Sequence, residues 1–309
     1  MQQLAPPTRQ RMVLTRRHAR NRVGGATGLL FIAPAVLLNF LFFVVPLVLA
    51  AWISLHRWPV LGEHVFIGLK NYTNLLQDGV FWGSLLFSTK YMLLVTPAIF
   101  IPAMILALLV NERIRGVTLF RTIYFAPYVI AFATTSLMWK WMYNEIFGLI
   151  NYLLLSIGLI ERPVIWLGSP KLALFSIILS VVWKTAGLNM ILLLAGLQAI
   201  PTELYEAAAI DGAGSWYRFT RITLPLLRPT VATALVISVI GSYLAFDQFF
   251  LMTAGGPGRD TTSVVMWIYR TSFQFFEQGS GSAMSFVLLA ILVALSYVQL
   301  RVVRRVTEY

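Results

Sequence analysis

Six stretches of this chain are apolar and long enough to cross a membrane as helices. The hydrocarbon core of a bilayer is ~30 Å thick, so a helix needs about 20 apolar residues to cross it. The stretches cover approximately residues 27–55, 82–110, 120–142, 172–197, 229–252 and 283–300. The loops between them carry turn-forming glycine and proline and are too short to fold as domains. The sequence therefore predicts an all-α fold, a polytopic bundle of six transmembrane helices over residues 27–309, preceded by a basic segment over residues 1–26.

The composition and charge of the chain indicate a membrane protein and exclude several other classes. Hydrophobic residues make up 58% of the chain and charged residues 12%, whereas a soluble domain is about one quarter charged. The chain has no cysteine, which excludes disulfides, thiolate metal sites and a cysteine nucleophile. The net charge of +12 would suit nucleic acid only if it formed a basic face, but these charges flank the apolar stretches. We therefore expect lipid around this chain and no nucleic-acid partner.

Basic residues are distributed unevenly between the two sides of the membrane. Fifteen lie on the side of the termini, namely Arg9, Arg11, Arg16, Arg17, Arg20, Arg22, Arg113, Arg115, Arg121, Arg218, Arg221, Arg228, Arg301, Arg304 and Arg305. Six lie on the other side, namely Arg57, Lys70, Arg162, Lys171, Arg259 and Arg270. Short loops that are rich in Lys and Arg face the cytoplasm. The distribution therefore predicts a multi-pass membrane protein with both termini, Met1 and Tyr309, in the cytoplasm.

The arginine-rich start followed by an apolar stretch is also typical of a cleaved secretory signal. The stretch over residues 27–55 is about twice as long as the apolar part of such a signal, and it has no clean small-x-small cleavage site. We therefore interpret this stretch as the first transmembrane helix, with cleavage as the alternative.

The predicted cytoplasmic loop over residues 198–228 has the pattern of two short helices. Thr202 and Ser215 are predicted N-caps, because a hydroxyl oxygen can accept the free N–H groups of a helix start. Gly212 is predicted to end the first helix in the left-handed conformation, and Pro225 is predicted to end the second. We therefore expect a short helical hairpin on the cytoplasmic face.

This loop also contains a motif with seven defined positions at fixed spacing. Its members are Glu206, Ala207, Ala208, Gly212, Ile222, Leu224 and Pro225, with Asp211 directly before the glycine. The motif resembles the signature of ABC importer permeases. The resemblance implies that the hairpin is a coupling helix, which docks in a groove of an ATP-hydrolysing subunit and transmits its closure to the membrane helices. The alternative is an ordinary amphipathic hairpin at the membrane surface.

Several other segments resemble the carbohydrate-uptake class of these permeases, which includes maltose-type and glycerol-phosphate-type members. They are residues 67–72, 194–201, 211–213 and 251–257. The resemblance implies that the solute is a sugar or a sugar-like molecule. The coupling motif by itself also permits another solute, such as a polyamine, phosphate or an amino acid.

Polar groups inside the predicted spans are candidates for a substrate path, because a buried charge in a membrane is costly. Lys184 lies near the middle of the fourth span, and Thr185 and Leu188 share its helix face. The fifth span carries Ser238, Gly241 and Ser242, followed by Asp247 near its outer end. Each has a simpler alternative. Lys184 could pair with a neighbouring subunit or reach a water pocket, the small residues could allow close helix packing, and Asp247 could be an interfacial polar residue.

The sequence contains no phosphate-binding loop of the Gly-x-x-x-x-Gly-Lys-Ser/Thr type. ATP and Mg would therefore be bound by partner subunits, and no cofactor, metal or catalytic residue is expected in this chain. An intramembrane enzyme is disfavoured because the three histidines, His18, His56 and His64, lie outside the depth of any span. An ion-coupled secondary transporter would be expected to carry acidic or histidine relays at depth. The resemblance implies as partners a second, related permease, two ATP-hydrolysing subunits and an external solute-binding protein.

Overall fold

A computed structural model describes residues 25–112 and 115–307 of the chain. Most of the predicted basic segment over residues 1–26 lies outside the described residues, as do Arg113 and the terminal residues Met1 and Tyr309. The chain divides into two compact units, with the boundary between Ala50 and Ala51.

The first unit contains a long apolar helical run. It consists of α1 (Gly25–Asn39), a π-helical turn (Phe40–Val44) and α2 (Val45–Ser54), whose last residues belong to the second unit. The segment from Leu30 to Ser54 has a mean hydropathy of 2.6 and is apolar on every side. Such a helix is suited to lipid or to a helix partner rather than to water.

The second unit is built almost entirely from helices, together with one two-stranded antiparallel hairpin. The hairpin pairs β1 (His56–Arg57) with β2 (Val65–Phe66). The helices are α3 (Lys70–Leu76), α4 (Gly79–Asn111), α5 (Val117–Val129), α6 (Phe132–Met142), α7 (Leu149–Ser156), α8 (Pro170–Gln198), α9 (Thr202–Ile210), α10 (Ser215–Arg218), α11 (Leu224–Leu226), α12 (Arg228–Tyr243), α13 (Val264–Tyr269) and α14 (Gln278–Thr307). The second unit also has three π-helical turns. Phe219–Thr223 follows α10, Phe249–Thr253 lies between α12 and α13, and Arg270–Gln274 follows α13.

Among the described residues, four helical runs are long and apolar enough to cross a membrane, and two bent helix pairs would raise the number to six. The four are the run ending at Ser54, α4, α8 and the first part of α14. The bent pairs are α5 with α6, at 95°, and the α10–α11 segment with α12, at 63°. The mainly helical membrane fold is as predicted, whereas the count of six spans stays a prediction.

Two long helices of the second unit, α4 and α8, begin at side-chain caps. The backbone N–H groups of Val80 and Phe81 donate to Asp78 Oδ1 over 2.9 and 3.1 Å. The N–H of Leu172 donates to Ser169 Oγ over 3.4 Å, and Pro170 occupies the first turn, where its missing N–H is not needed. At 1.5 Å per residue α4 is about 50 Å long, so it extends beyond a hydrocarbon core of ~30 Å.

The helix at the centre of the second unit is α8, which packs against α4, α5, α6 and α12. In the most apolar part of α8, 56% of the residues are buried, compared with 33% in the same part of α4 and 17% in that of α14. One core cluster joins its first half to α4 and α6 and includes Tyr91, Ile177 and Phe249. A second cluster joins its last half to α4 and to the start of α12, around Leu193 and Leu227.

Two of the predicted spans are not continuous helices. The stretch over residues 120–142 breaks between α5 and α6, and the stretch over residues 229–252 leaves helical geometry after Tyr243. A break in a membrane helix needs partners for the freed backbone groups. At the second break, Ser263 Oγ donates to the carbonyl oxygen of Ala245 over 2.7 Å. Hydropathy does not reveal such partners, so neither break was predicted from the sequence.

The segment over residues 67–72 is hydrogen-bonded to the end of α2 and to β1. The buried side-chain amide of Asn71 donates to the carbonyl oxygens of Ser54 and His56, over 2.8 and 2.9 Å. The hydroxyl groups of Tyr72 and Ser54 are 2.8 Å apart and share a hydrogen bond. Asn71 and Tyr72 therefore have a structural role, because their side chains hold this segment against the end of α2.

Candidate functional site

The segment over residues 201–227 folds as two helical pieces separated by a tight turn at Gly212. The N–H of Gly212 donates to the carbonyl of Ala209 over 3.1 Å, and the N–H of Ala213 donates to the carbonyl of Ala208 over 2.8 Å. This pair of bonds is a Schellman motif, in which the residue after the C-cap takes the left-handed conformation. Gly212 has a φ of 77°, so its predicted left-handed conformation is confirmed.

The predicted caps and the predicted end of the second piece differ slightly from the structure. Pro201 and Gly214 occupy the N-cap positions, while Thr202 and Ser215 are the first helical residues. Pro225 lies within the first turn of α11, and the helical run continues to Leu226 before the bend into α12. The helical run therefore ends one residue after Pro225, close to the predicted end.

The inner side of this segment is anchored to the helix bundle. The hydroxyl groups of Tyr205 and Thr223 are 2.9 Å apart and connect α9 to the π-helical turn after α10. Tyr205 and Ile222 pack against the core cluster that contains Leu193 of α8 and Leu227. Ile222 is therefore a motif residue that faces the bundle.

The outer side of the segment is exposed and partly apolar. Ile210 is 87% exposed and Trp216 is 76% exposed, at either side of the turn. Among the motif residues, Glu206, Ala207, Asp211, Gly212 and Leu224 are exposed, while Ala208 and Pro225 are half-buried. Large apolar side chains exposed next to charges are typical of a surface that binds another protein or the membrane surface.

Lys184 is buried in the middle of α8, with 2% of its surface exposed. Its ammonium group donates to the carbonyl oxygens of Pro127 and Tyr128, over 3.3 and 3.2 Å, and to that of Ile130. It also lies 4.6 Å from the centre of the Phe132 ring. The charge is therefore held by backbone carbonyls and an aromatic face at the break between α5 and α6.

Thr185 and Leu188 of α8 and Ser238 of α12 are half-buried. The hydroxyl of Thr185 donates to the carbonyl of Val181 over 2.7 Å, within its own helix. Ser238 Oγ donates to Asn189 Oδ1 over 3.4 Å and connects the two helices. Asn189 was missed by the sequence reasoning, although its place four residues after Thr185 was a usable signal.

The remaining predicted path residues follow Ser238 along α12 and beyond it. Gly241 is exposed, and no heavy atom lies within 4 Å of the position of a Cβ there. Ser242 is buried and donates to the carbonyl of Ser238 over 2.7 Å. Asp247 is half-buried after the end of α12, and the next residue, Gln248, is buried and donates to the hydroxyl of Tyr91 over 3.3 Å.

Sequence reasoning did not propose Tyr91 as a site residue, because its contact with Gln248 joins positions that are far apart in the chain. In the described part of the chain, no group of three or more His, Asp or Glu side chains is placed to hold a metal ion. The polar groups at the crossing of α8 and α12 are hydroxyls and amides, which are suited to hydrogen bonding with a neutral solute.

Comparisons with known proteins place this architecture in a family. A family model described as "Binding-protein-dependent transport system inner membrane component" matches residues 79–308. The chain is 37% identical to the trehalose/maltose transport system permease protein MalF of Thermococcus litoralis, over 90% of this chain and 93% of that protein. It is 35% identical to the lactose transport system permease protein LacF of Rhizobium radiobacter, over 93% of this chain and 97% of that protein.

A solved structure has the same fold over most of its length. It is a bacterial ABC transporter involved in the import of the acidic polysaccharide alginate, with a TM-score of 0.79 and 25% identity. The match covers 91% of this chain and 96% of the other. The chain therefore belongs to the family of binding-protein-dependent transport system inner membrane components.

Proposed function

We propose that this chain moves a sugar or sugar-like solute into the cytoplasm, by alternating access driven by ATP hydrolysis on separate subunits. As a member of its family the chain is a non-catalytic permease component of an ABC importer. Support for a sugar comes from relatives that are named for trehalose and maltose and for lactose, and from a similar fold in an importer of alginate.

The observation that carries the proposal is the two-sided construction of the segment over residues 198–228. Its outer side presents Glu206, Ile210 and Trp216 to a partner, and its inner side is tied to α8 through Tyr205 and Ile222. A surface that binds another subunit and is packed into the central helix can transmit motion between them. We infer that this segment is the cytoplasmic coupling hairpin.

In the complete transporter that we propose, this chain has four kinds of partner. Two ATP-hydrolysing subunits bind ATP and Mg and dock against the hairpin. A second, related permease completes the membrane domain, and an external solute-binding protein delivers the sugar, in keeping with the binding-protein dependence of the family. Lipid covers the remaining apolar surface.

The solute path that we propose runs along the contact between α8 and α12. Its hydrogen-bonding groups are the hydroxyls and amide that meet there, next to small side chains that leave room for a sugar. The residues are Thr185, Leu188, Ser238, Gly241 and Ser242, with Asp247 at the outer end.

Replacing Glu206 with lysine is expected to uncouple transport from ATP hydrolysis. The exposed carboxylate of Glu206 becomes an ammonium group on the same exposed surface, so the charge presented to the partner groove is reversed. The bundle is unaffected because no apolar contact changes. Stimulation of ATPase activity by the loaded binding protein, and uptake of radiolabelled maltose, trehalose and lactose, are measured in cells or proteoliposomes that contain the partner subunits.

The matched control for this variant is Glu112→Lys, which makes the same charge change at an exposed position after α4, outside the hairpin. We expect normal uptake with Glu112→Lys and loss of both activities with Glu206→Lys. Normal uptake in both variants would contradict the coupling role. Uptake of an amino acid, phosphate or a polyamine, and of no sugar, by the unaltered complex would contradict the solute class.

The hairpin and both termini are expected to lie in the cytoplasm. Because the chain has no cysteine, single cysteines report on one position each. Ile210 in the hairpin is 87% exposed and Ile146 after α6 is 91% exposed, so both positions are equally open to a reagent. In intact cells a membrane-impermeant maleimide should label Ile146→Cys and leave Ile210→Cys unlabelled until lysis. The reverse pattern would overturn the orientation, and reporter fusions at both ends test the termini directly.

A further inference from the structure

The bend between α5 and α6 leaves backbone groups that need partners. α5 ends at Val129 and α6 begins at Phe132, and the two axes differ in direction by 95°. The last four carbonyl groups of a helix have no partner within it. In a membrane these groups must be satisfied by other parts of the protein, because lipid provides no hydrogen-bond donor.

Lys184 supplies the donors that this helix end lacks. An ammonium group has three N–H donors and no acceptor, and here it has three carbonyl partners, those of Pro127, Tyr128 and Ile130. The positive charge also lies at the negative end of the α5 dipole and against the face of Phe132. The number of the donors and their positive charge therefore both match the end of α5.

The backbone of α8 comes close enough for this contact because of Gly187. This residue is one helical turn from Lys184 on the same face, and a Cβ at its position would collide with the carbonyl oxygen of Tyr124. Contact between the two backbones at Gly187 places α8 directly beside the last turns of α5. From this position the side chain of Lys184 reaches the carbonyl groups at the bend.

A second basic residue in the chain acts in the same way. Arg121 donates from Nη2 to the carbonyl of Val110, in the last turn of α4, over 2.7 Å. Arg121 belongs to α5 and Lys184 to α8, so in each case a helix that follows in the chain supplies a cation to the end of an earlier one. The contact of Lys184 is the one at the centre of a bent span.

We propose that Lys184 is the C-terminal cap of α5, and that it is a positioning residue which keeps the bend between α5 and α6 in the geometry that transport requires. It does not act as a solute ligand, because its donors are used by the chain itself. The proposal rests on the proposed function, since it assigns the bend a role in the transport path. Loss of the donors frees the carbonyls, and the span relaxes toward a straighter helix that satisfies them internally.

The test is a distance measurement across the bend in the assembled complex. Spin labels are attached at Leu119→Cys in α5 and Leu137→Cys in α6, both at exposed positions of a chain without cysteine. With the 95° bend the two helix-axis positions are about 20 Å apart, and in a straight span they would be about 27 Å apart. Lys184→Met, which is an unbranched side chain one atom shorter than lysine and removes every donor, should add a population about 7 Å longer and reduce uptake about tenfold.

The matched control is Lys140→Met, an exposed lysine in the last turn of α6, which should leave distances and uptake unchanged. Unchanged distances in Lys184→Met would overturn the proposal, and reduced uptake with unchanged distances would assign Lys184 to the solute instead. If Lys184→Met does not assemble, the distance distributions of Lys184→Arg and Lys184→Gln test the proposal instead. The proposal requires a longer population in Gln and not in Arg, and equal distributions in these two variants contradict it. An unaltered complex that takes up no sugar would refute the proposed function and leave the distance test valid.

Discussion

Gly212→Val is expected to abolish ATP-driven uptake while the chain still inserts into the membrane. Gly212 has a φ of 77°, and this left-handed conformation costs a residue with a side chain about 1–2 kcal/mol, with β-branched valine disfavoured further. To escape it, the turn must give up the two hydrogen bonds that carry Ala213 and Gly212 back to α9. The α10–α11 segment then changes direction relative to α9, and the exposed surface no longer matches its partner.

Two variants separate this effect from a general loss of packing. Gly212→Asn should keep most of the activity, because asparagine tolerates the left-handed conformation better than other residues. Gly214→Val should also be tolerated, since Gly214 has a φ of −67° and nothing lies within 4 Å of its Cβ position. The measurements are uptake and ATPase activity stimulated by loaded binding protein. Equal activity of Gly212→Val and Gly214→Val would show that the turn has no part in coupling.

Gly187→Val is expected to destabilise the helix bundle. The added Cβ would overlap the backbone carbonyl oxygen of Tyr124, and backbone atoms cannot rotate away as a side chain can. Forcing extra atoms into a packed core costs about 1–3 kcal/mol or more. For a chain of this size we expect the unfolding temperature to fall by about 5 °C or more.

The measurement is the thermal unfolding temperature of the purified complex in detergent, with Gly83→Val as the matched control. Gly83 also lies inside a membrane helix, α4, but no heavy atom lies within 4 Å of its Cβ position. We expect little change for Gly83→Val. An unfolding temperature for Gly187→Val that equals the control would show that α5 and α8 are farther apart than the structure has them, and would also weaken the assignment of Lys184 as a cap.

Much of the fold was predictable because the energy of membrane insertion depends mainly on local composition. Stretches of apolar residues indicated α4, α8 and α14 without reference to any contact. The family also followed from local sequence, because the spacing from Glu206 to Pro225 lies within one loop, and the resemblance drawn from it is confirmed by the family match. Gly212 was predictable for a similar reason, since the conformation of a helix end is decided within a few residues.

The breaks in the membrane helices were not predictable, because a break is stable only when a distant group satisfies it. Ser263 binds the carbonyl of Ala245, and Lys184 binds those of the α5 end. Hydropathy treats residues 120–142 as one apolar stretch and cannot register such partners. For the same reason the role of Lys184 stayed open between the solute path, a neighbouring subunit and a water pocket, and the backbone of its own chain was not among the predicted partners.

The amino-acid sequence by itself determined that this protein is a helical membrane permease of the ABC importer family, since apolar length and motif spacing are local properties. Only the tertiary structure decided which motif residues face outward, as Glu206 does, and which pack inward, as Ile222 does. It also decided that Asn189 and Ser238 meet and that the charge of Lys184 lies at a helix end. These features depend on contacts between residues about 50 positions apart, which composition and periodicity do not encode.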